Sequence, residues 1–249
     1  MDKFAAVMNE RARMIGAENC TFRNPHGLPQ EGHLASALDM AKIAAYALRN
    51  KTFSEIVNCR QYVVEDGGCG YARTLTNKNK MLSLYEGADG VKTGYTKEAG
   101  RCLVSSATRE GMRLVCAVLD SPDMYNRSAE LLDDCFARYS MRELFNGEKF
   151  RREIPTDGIA GKKCRVSCLG QFSYPLAEGE EKFVEVRETL PDILALPVHK
   201  GDETGKIDVY LQNQLIFSEK IVSIMDVQKS YFDYLRDIVR GYRKENADQ

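Results

Sequence analysis

The sequence predicts an α+β chain: helices packed on an antiparallel sheet, followed by a small β-rich region and a closing amphipathic helix. Three observations predict it. Apolar residues recur at helical spacing over 2–16, 36–49 and 125–145. Two apolar runs, 102–108 and 112–119, are joined by Arg109-Glu110-Gly111 and read as a hairpin. Beyond Gly147-Glu148-Lys149 the pattern changes to short alternating strands between turn residues. The 249 residues exceed the usual size of one domain, and the pattern divides them into 1–147, 148–228 and 229–249.

The first helix, 2–16, places Phe4, Val7, Met8 and Ile15 on one face to be buried and stops at Gly16. Asn24-Pro25-His26-Gly27 is a turn, in which His26 reads as bonded to backbone. Ser36-Ala37-Leu38-Asp39 is a capping box with aspartate in place of glutamate. It opens a helix to about Arg49, lined by Leu38, Ile43, Ala44, Ala47 and Leu48. A short helix over 53–57 follows. Segments 62–64 and 71–75 flank Asp66-Gly67-Gly68 as a second hairpin, and Asn77–Lys80 is a solvated loop. The 125–145 helix should pack across the sheet through Leu131, Leu132, Cys135, Phe136, Tyr139 and Leu144.

In the β-rich part the strands are 164–169, 182–187, 206–211 and 215–224. Residues 229–243 set Tyr231, Tyr234, Leu235, Ile238, Val239 and Tyr242 on one face, with Arg236, Arg240 and Arg243 elsewhere. Such a helix suits a membrane interface or its own β-domain, and Asp233 and Asp237 dilute its basic character.

Composition excludes several function classes. The 35 basic and 36 acidic residues are mixed and give a net charge of −1, so no basic face points to nucleic acid. No run approaches the roughly 18 apolar residues of a membrane helix. Met1-Asp2-Lys3-Phe4 leads directly into a helix rather than a signal peptide. Eight cysteines form no Cys-x-x-Cys pair and there are three histidines, which argues against zinc. The thiols read as buried and free, with pairing possible in an exported protein. No cofactor is implied.

The stretch that carries chemistry is Gly87-Ala88-Asp89-Gly90-Val91-Lys92-Thr93-Gly94-Tyr95-Thr96. A Lys-Thr-Gly triplet on a strand suits an anionic substrate beside a serine nucleophile. The lysine supplies charge, the threonine hydroxyl can bond a carboxylate, and the glycine lets a substrate backbone approach. Serine enzymes with this triplet also carry Ser-x-x-Lys and Ser-x-Asn or Ser-Asp-Asn elements. Residues 87–115, together with Met8-Asn9, Asn24-Pro25-His26-Gly27-Leu28 and Ala37-Leu38-Asp39-Met40-Ala41, closely resemble the low-molecular-weight penicillin-binding proteins, the serine-type D-alanyl-D-alanine carboxypeptidases. The resemblance covers about residues 2–145 well and the rest more loosely, with Lys200–Asp208 the best-matching piece of the second part.

That resemblance implies a transpeptidase-like catalytic domain, incomplete here, with a β-rich second domain and a closing helix. It implies hydrolysis of peptidoglycan D-Ala-D-Ala through an acyl-enzyme, binding of β-lactams, and an extracytoplasmic, membrane-associated location. Lys92 would stabilise the nucleophile network and attract the substrate carboxylate. Thr93 and Thr96, on one strand face, would bond that carboxylate, Gly94 would give access, and the Tyr95 N–H would donate to the oxyanion. Many relatives have histidine at the Tyr95 position. Arg127 would be a second cation for the carboxylate or simply an exposed helix-start arginine. No serine in the chain is followed at the right spacing by lysine or asparagine. The expectation is therefore a C-terminal part without its nucleophile or export signal, inactive alone and inclined to associate with the missing segment. A non-catalytic module binding wall, membrane or partner proteins is the alternative. A β-lactamase is a third reading, weakened by the appended β-domain and the 24–41 match.

Overall fold

The computed structural model describes residues 2–65, 70–157, 161–233 and Leu235. The chain divides into two compact units, Met1–Ser140 and Met141–Gln249. In order, the chain runs α1 (Asp2–Met14), β1 (Cys20–Thr21), β2 (Leu34–Ala35), α2 (Ala37–Ala47), α3 (Lys51–Asn58), β3 (Gln61–Val64) and β4 (Arg73–Thr76). It continues with α4 (Met81–Leu84), β5 (Ala88–Thr96), β6 (Gly100–Arg109), β7 (Met112–Val118) and α5 (Met124–Arg138).

The centre of the first unit is the antiparallel sheet β5-β6-β7. Its faces are sorted by strand alternation. Leu103 and Val104 are consecutive in β6 and serve different clusters. Leu103 and Ala107 pack with Met81 of α4 and Met124 and Leu132 of α5. Val104 joins Val91 of β5, Ala44 and Leu48 at the end of α2, and Phe53 and Val57 of α3. Helices therefore cover both faces of the sheet. Each fully buried leucine contributes about 1.5–3 kcal/mol of burial. The Gly90–Val91 peptide is cis.

Several side chains face differently from what periodicity suggests. Helix α1 buries Ala5 and Ala12 and leaves Phe4 and Val7 exposed. Ala5 and Ala12 are seven residues apart and so lie on one stripe of the helix, and Phe4 and Val7 fall off that stripe. Leu38 of α2 is exposed as well. The capping box is half formed. Ser36 Oγ accepts from the Asp39 N–H at 3.1 Å, but the Asp39 carboxylate accepts from the Asn19 N–H at 2.5 Å. The aspartate side chain, one methylene shorter than glutamate, is engaged by the preceding loop.

The 125–145 helix ends at Arg138, and β8 (Tyr139–Asn146) follows as a strand. Phe145 of β8 is buried in the second unit's core, so Leu144 belongs to that packing and not to a helix face. There the order is β9 (Arg152–Pro155), β10 (Lys163–Ser167), β11 (Gln171–Ala177), β12 (Val184–Thr189), β13 (Glu203–Leu211) and β14 (Gln214–Ser223). The main sheet runs β12-β13-β14-β10-β9, and β8 pairs with β11. Val166, Ile207, Val209 and Ile221 fill its core, and the Phe172 and Phe217 rings stack at 4.3 Å. Gln212 and Asn213 turn β13 into β14 with φ of 49° and 67°. Of the closing helix expected over 229–243, 231–233 and Leu235 are helical; Tyr234 and 236–243 lie outside the described residues. Among the described residues no helix is long and apolar enough to cross a membrane.

Candidate functional site

The Lys92 strand is an edge of its sheet among the described residues. Its entry is fixed by sterics. Gly87 has φ +81°, and a Cβ there would stand 2.5 Å from the Thr108 carbonyl oxygen. Thr108 N–H donates to the Gly87 carbonyl at 2.9 Å. Beyond it, β5 and β6 shift register between Ala88 and Gly90, which leaves Asp89 as the extra residue of a bulge. Pairing is then regular from Lys92, opposite Val104, to Thr96, opposite Gly100.

Within the triplet, Lys92 and Gly94 are exposed and Thr93 is half-buried. Lys92 is exposed, and its Nζ donates to the Thr93 carbonyl oxygen at 2.6 Å. No carboxylate pairs with it among the described residues. Gly94 is not demanded by the fold: a Cβ there would make only an ordinary 3.8 Å contact with Cys102 Cβ. Tyr95 is 69% exposed. Thr96 Oγ1 accepts from the Ala99 N–H at 3.0 Å and closes the turn into β6. Thr93 and Thr96 are three positions apart in an unbroken register, so they do not share a strand face. A period of two groups Thr96 with Lys92 and Gly94, and Thr93 with Tyr95.

The segment between α1 and α2 forms the neighbouring wall. Asn9 fastens it, donating to the Phe22 carbonyl at 2.8 Å and accepting the Phe22 N–H at 2.7 Å. Asn24 organises the turn: its Oδ1 accepts from the Gly27 N–H at 2.8 Å, and its Nδ2 donates to the Leu28 carbonyl and to Gln30 Oε1. His26 Nδ1 accepts the Leu28 N–H at 3.2 Å, the backbone role read from the sequence. Gln30, Glu31 and His33 from this wall, with Thr96 and Glu98, line a cavity of about 510 Å³ at the end of β5.

Arg127 stands apart. It lies exposed in the first turn of α5 and pairs with Glu130 at 3.2 Å. No hydrogen bond or ion pair among the described residues joins it to β5. Lys92, Thr93, Gly94, Tyr95 and Thr96 are thus brought together by one strand, and Arg127 is not tied to them.

Two residues beside the site escaped the sequence reading. Asn79, taken as part of a solvated loop, is buried, and its Nδ2 donates to the Gly90 carbonyl at 2.8 Å. Asp89 is buried under Ser106, Thr108 and Arg113. A lone acidic residue inside an apolar strand, facing hydroxyls two apart at 106 and 108, was the available signal for the second.

Among the described residues no group of three metal-ligating side chains occurs. Burial pushes the Cys116 thiol above its ordinary range. Burial, then the nearby Glu219 charge, holds the Cys168 thiol up at about 11.

Similarity to known proteins follows the same division. A D-alanyl-D-alanine carboxypeptidase family model matches residues 1–123, and one of the penicillin-binding protein 5 C-terminal domain matches residues 139–229. The D-alanyl-D-alanine carboxypeptidase DacF of Bacillus subtilis is 28% identical over 236 residues, which cover 93% of this chain and 60% of that protein. DacA of Escherichia coli K12 is 26% identical, over 94% of this chain and 60% of its own. The chain therefore spans about three fifths of the length of these relatives. Among solved structures, penicillin binding protein 5 from Haemophilus influenzae superposes with TM-score 0.63 at 26% identity, covering 92% of this chain and 67% of its own. The PBP3 structure from Streptococcus pneumoniae shares the fold, with TM-score 0.69 at 18% identity over 91% of this chain and 70% of its own.

Proposed function

This chain belongs to the D-alanyl-D-alanine carboxypeptidase family, and from that membership we propose that it serves hydrolysis of the terminal D-alanine of peptidoglycan stem peptides. The observation that carries the reading is the free edge of β5. Lys92 offers a cation with no acidic partner among the described residues, and it stands two positions before a glycine the fold does not require. Both facts fit a strand edge kept for an extended, anionic peptide.

In this reading the peptide lies along β5 with its terminal carboxylate near Lys92. Thr93 and Thr96 approach that carboxylate from opposite faces of the strand edge, and Arg127 adds a second cation from α5. A serine hydroxyl attacks the penultimate D-alanine carbonyl, and the Tyr95 N–H donates to the oxyanion that forms. The C–N bond breaks, the amine takes the proton and leaves as D-alanine, and water hydrolyses the ester. β-Lactams would acylate the same serine.

The serine belongs to a Ser-x-x-Lys element, and none occurs in these 249 residues. The chain by itself is accordingly read as unable to form the acyl-enzyme. The second reading, a non-catalytic module that binds wall, membrane or partner, draws on that same missing element. This reading carries with it an envelope location outside the cytoplasm, and contact with the membrane would involve residues 229–243.

D-alanine release separates the two. The 249-residue chain should release none from a pentapeptide. A chain extended by a Ser-x-x-Lys-bearing segment of the family should release it, and Lys92→Ala should slow that by at least about tenfold (~1.4 kcal/mol). An extended chain that folds, binds wall peptide and never turns it over would favour the non-catalytic module.

A further inference from the structure

Resting on the reading of β5 as the carboxylate-binding strand, we infer that Asp89 is a positioning residue that sets where Lys92 stands. Asp89 is buried, and its carboxylate meets donors from three side chains. Oδ1 accepts from Ser106 Oγ at 2.6 Å, and Oδ2 accepts from Thr108 Oγ1 at 2.7 Å. Arg113 Nε pairs with Oδ2 at 2.9 Å and also donates to Thr108 Oγ1 at 3.1 Å. The donors come from β6 and, for Arg113, from β7, so one carboxylate ties all three strands of the sheet.

Arg113 is 38% exposed, so solvent screens its attraction to Asp89 and the ion pair adds little stability. What the cluster does determine is register. Asp89 is the residue that β6 does not match, since pairing passes from Ala88–Ala107 to Gly90–Ser106. A bulge re-aims the side chains that follow it, and a slip of one residue would turn each of them to the opposite face. Lys92 is the third residue on. Gly90 is held on the other side of the bulge by Asn79 Nδ2, and a Cβ at Gly90 would come within 2.9 Å of the Ser106 hydroxyl that bonds Asp89. The bulge is thus clamped at both of its residues, and the regular pairing of 92–96 starts from it.

A positioning role predicts coupling to Lys92, which a general loss of stability does not. The test is a double-mutant cycle on the full 249-residue chain, labelled with ¹⁵N and titrated with an N-acyl-L-lysyl-D-alanyl-D-alanine peptide. Lys92→Gln and Asp89→Asn should each weaken binding by about fivefold or more, and the double variant should lie within about twofold of Lys92→Gln alone. Asp89→Asn that binds like the parent overturns the inference. So does a loss of equal factor in both backgrounds, since that is unfolding and not positioning. Lys92→Gln binding like the parent would instead sink the carboxylate-binding reading of β5, and the inference with it, whatever Asp89→Asn does. If the amide spectrum shows Asp89→Asn unfolded, Arg113→Lys takes its place in the cycle with the same expected and overturning results.

Discussion

Asn79 Nδ2 donates to the Gly90 carbonyl oxygen at 2.8 Å, a buried bond between the turn before α4 and the strand that carries Lys92. Asn79 Oδ1 accepts from the Met81 N–H at 3.1 Å at the start of α4. One amide thus serves a helix and a strand. Asn79→Ala strands the Gly90 carbonyl without a donor and should destabilise the first unit by about 1–3 kcal/mol. The denaturant midpoint measures it, and an unchanged midpoint would show that the bond is dispensable.

Leu131 and Leu132 are neighbours in α5 with opposite fates, 48% and 2% exposed. Periodicity alone put both on the packed face. Leu132→Ala should cost about 2–5 kcal/mol by transfer and cavity formation, whereas Leu131→Ala should change stability by no more than about 0.5 kcal/mol. Equal effects in thermal unfolding would mean that α5 is rotated from this arrangement.

Asp208 in the second unit is buried. The hydrogen bond from Lys206 Nζ, at 2.6 Å, and then that from Ser218 Oγ, at 2.7 Å, hold its carboxyl below the usual carboxylate range against the opposing effect of burial. A depressed folded value means that its stabilising contribution is present above the unfolded pKa of about 3.9. That contribution is lost as pH falls through the lower folded value. Asp208→Asn should therefore flatten the acid limb of the stability profile below about pH 4 and leave its slope near pH 7 unchanged. An identical acid limb would remove Asp208 from the account.

Cys168 is fully buried and its thiol is held up at about 11, so at pH 8 it is almost entirely protonated and shielded. Cys59 is partly exposed. Iodoacetamide at pH 8 should modify Cys59 well before Cys168, with Cys168 labelled only once the second unit unfolds. Early labelling of Cys168 by peptide mapping would contradict this packing.

Much of this was legible in sequence because it was local. The β5–β7 strands show as apolar runs, the Glu110-Gly111 turn takes φ of 49° and 79°, and the Asn24 turn announces itself by proline and glycine. That Lys92 through Thr96 lie on one strand was legible because they are contiguous. What escaped depends on partners distant in the chain. Helix α5 gives way at Tyr139 to a strand that pairs with β11, a partner distant in the chain, and no breaker in the segment marks that end. Asn79 reads as part of a solvated loop, and Asp89 has no role of its own until the strands that bury it are in place. Thr93 and Thr96, expected on one face, stand on opposite faces, because their spacing of three is odd and the register runs unbroken between them.

The most direct measurement of the central claim is a comparison of two ligands by ¹⁵N chemical-shift mapping on the 249-residue chain. One is a D-alanyl-D-alanine-terminated peptide and the other is the same peptide with its terminal carboxylate converted to an amide. If β5 is the carboxylate-binding strand, the acid should perturb the amides of Lys92 through Thr96, and the amide should bind at least about tenfold more weakly, a loss of ~1.4 kcal/mol. Equal affinity for the two peptides, or perturbations that bypass β5, would contradict it.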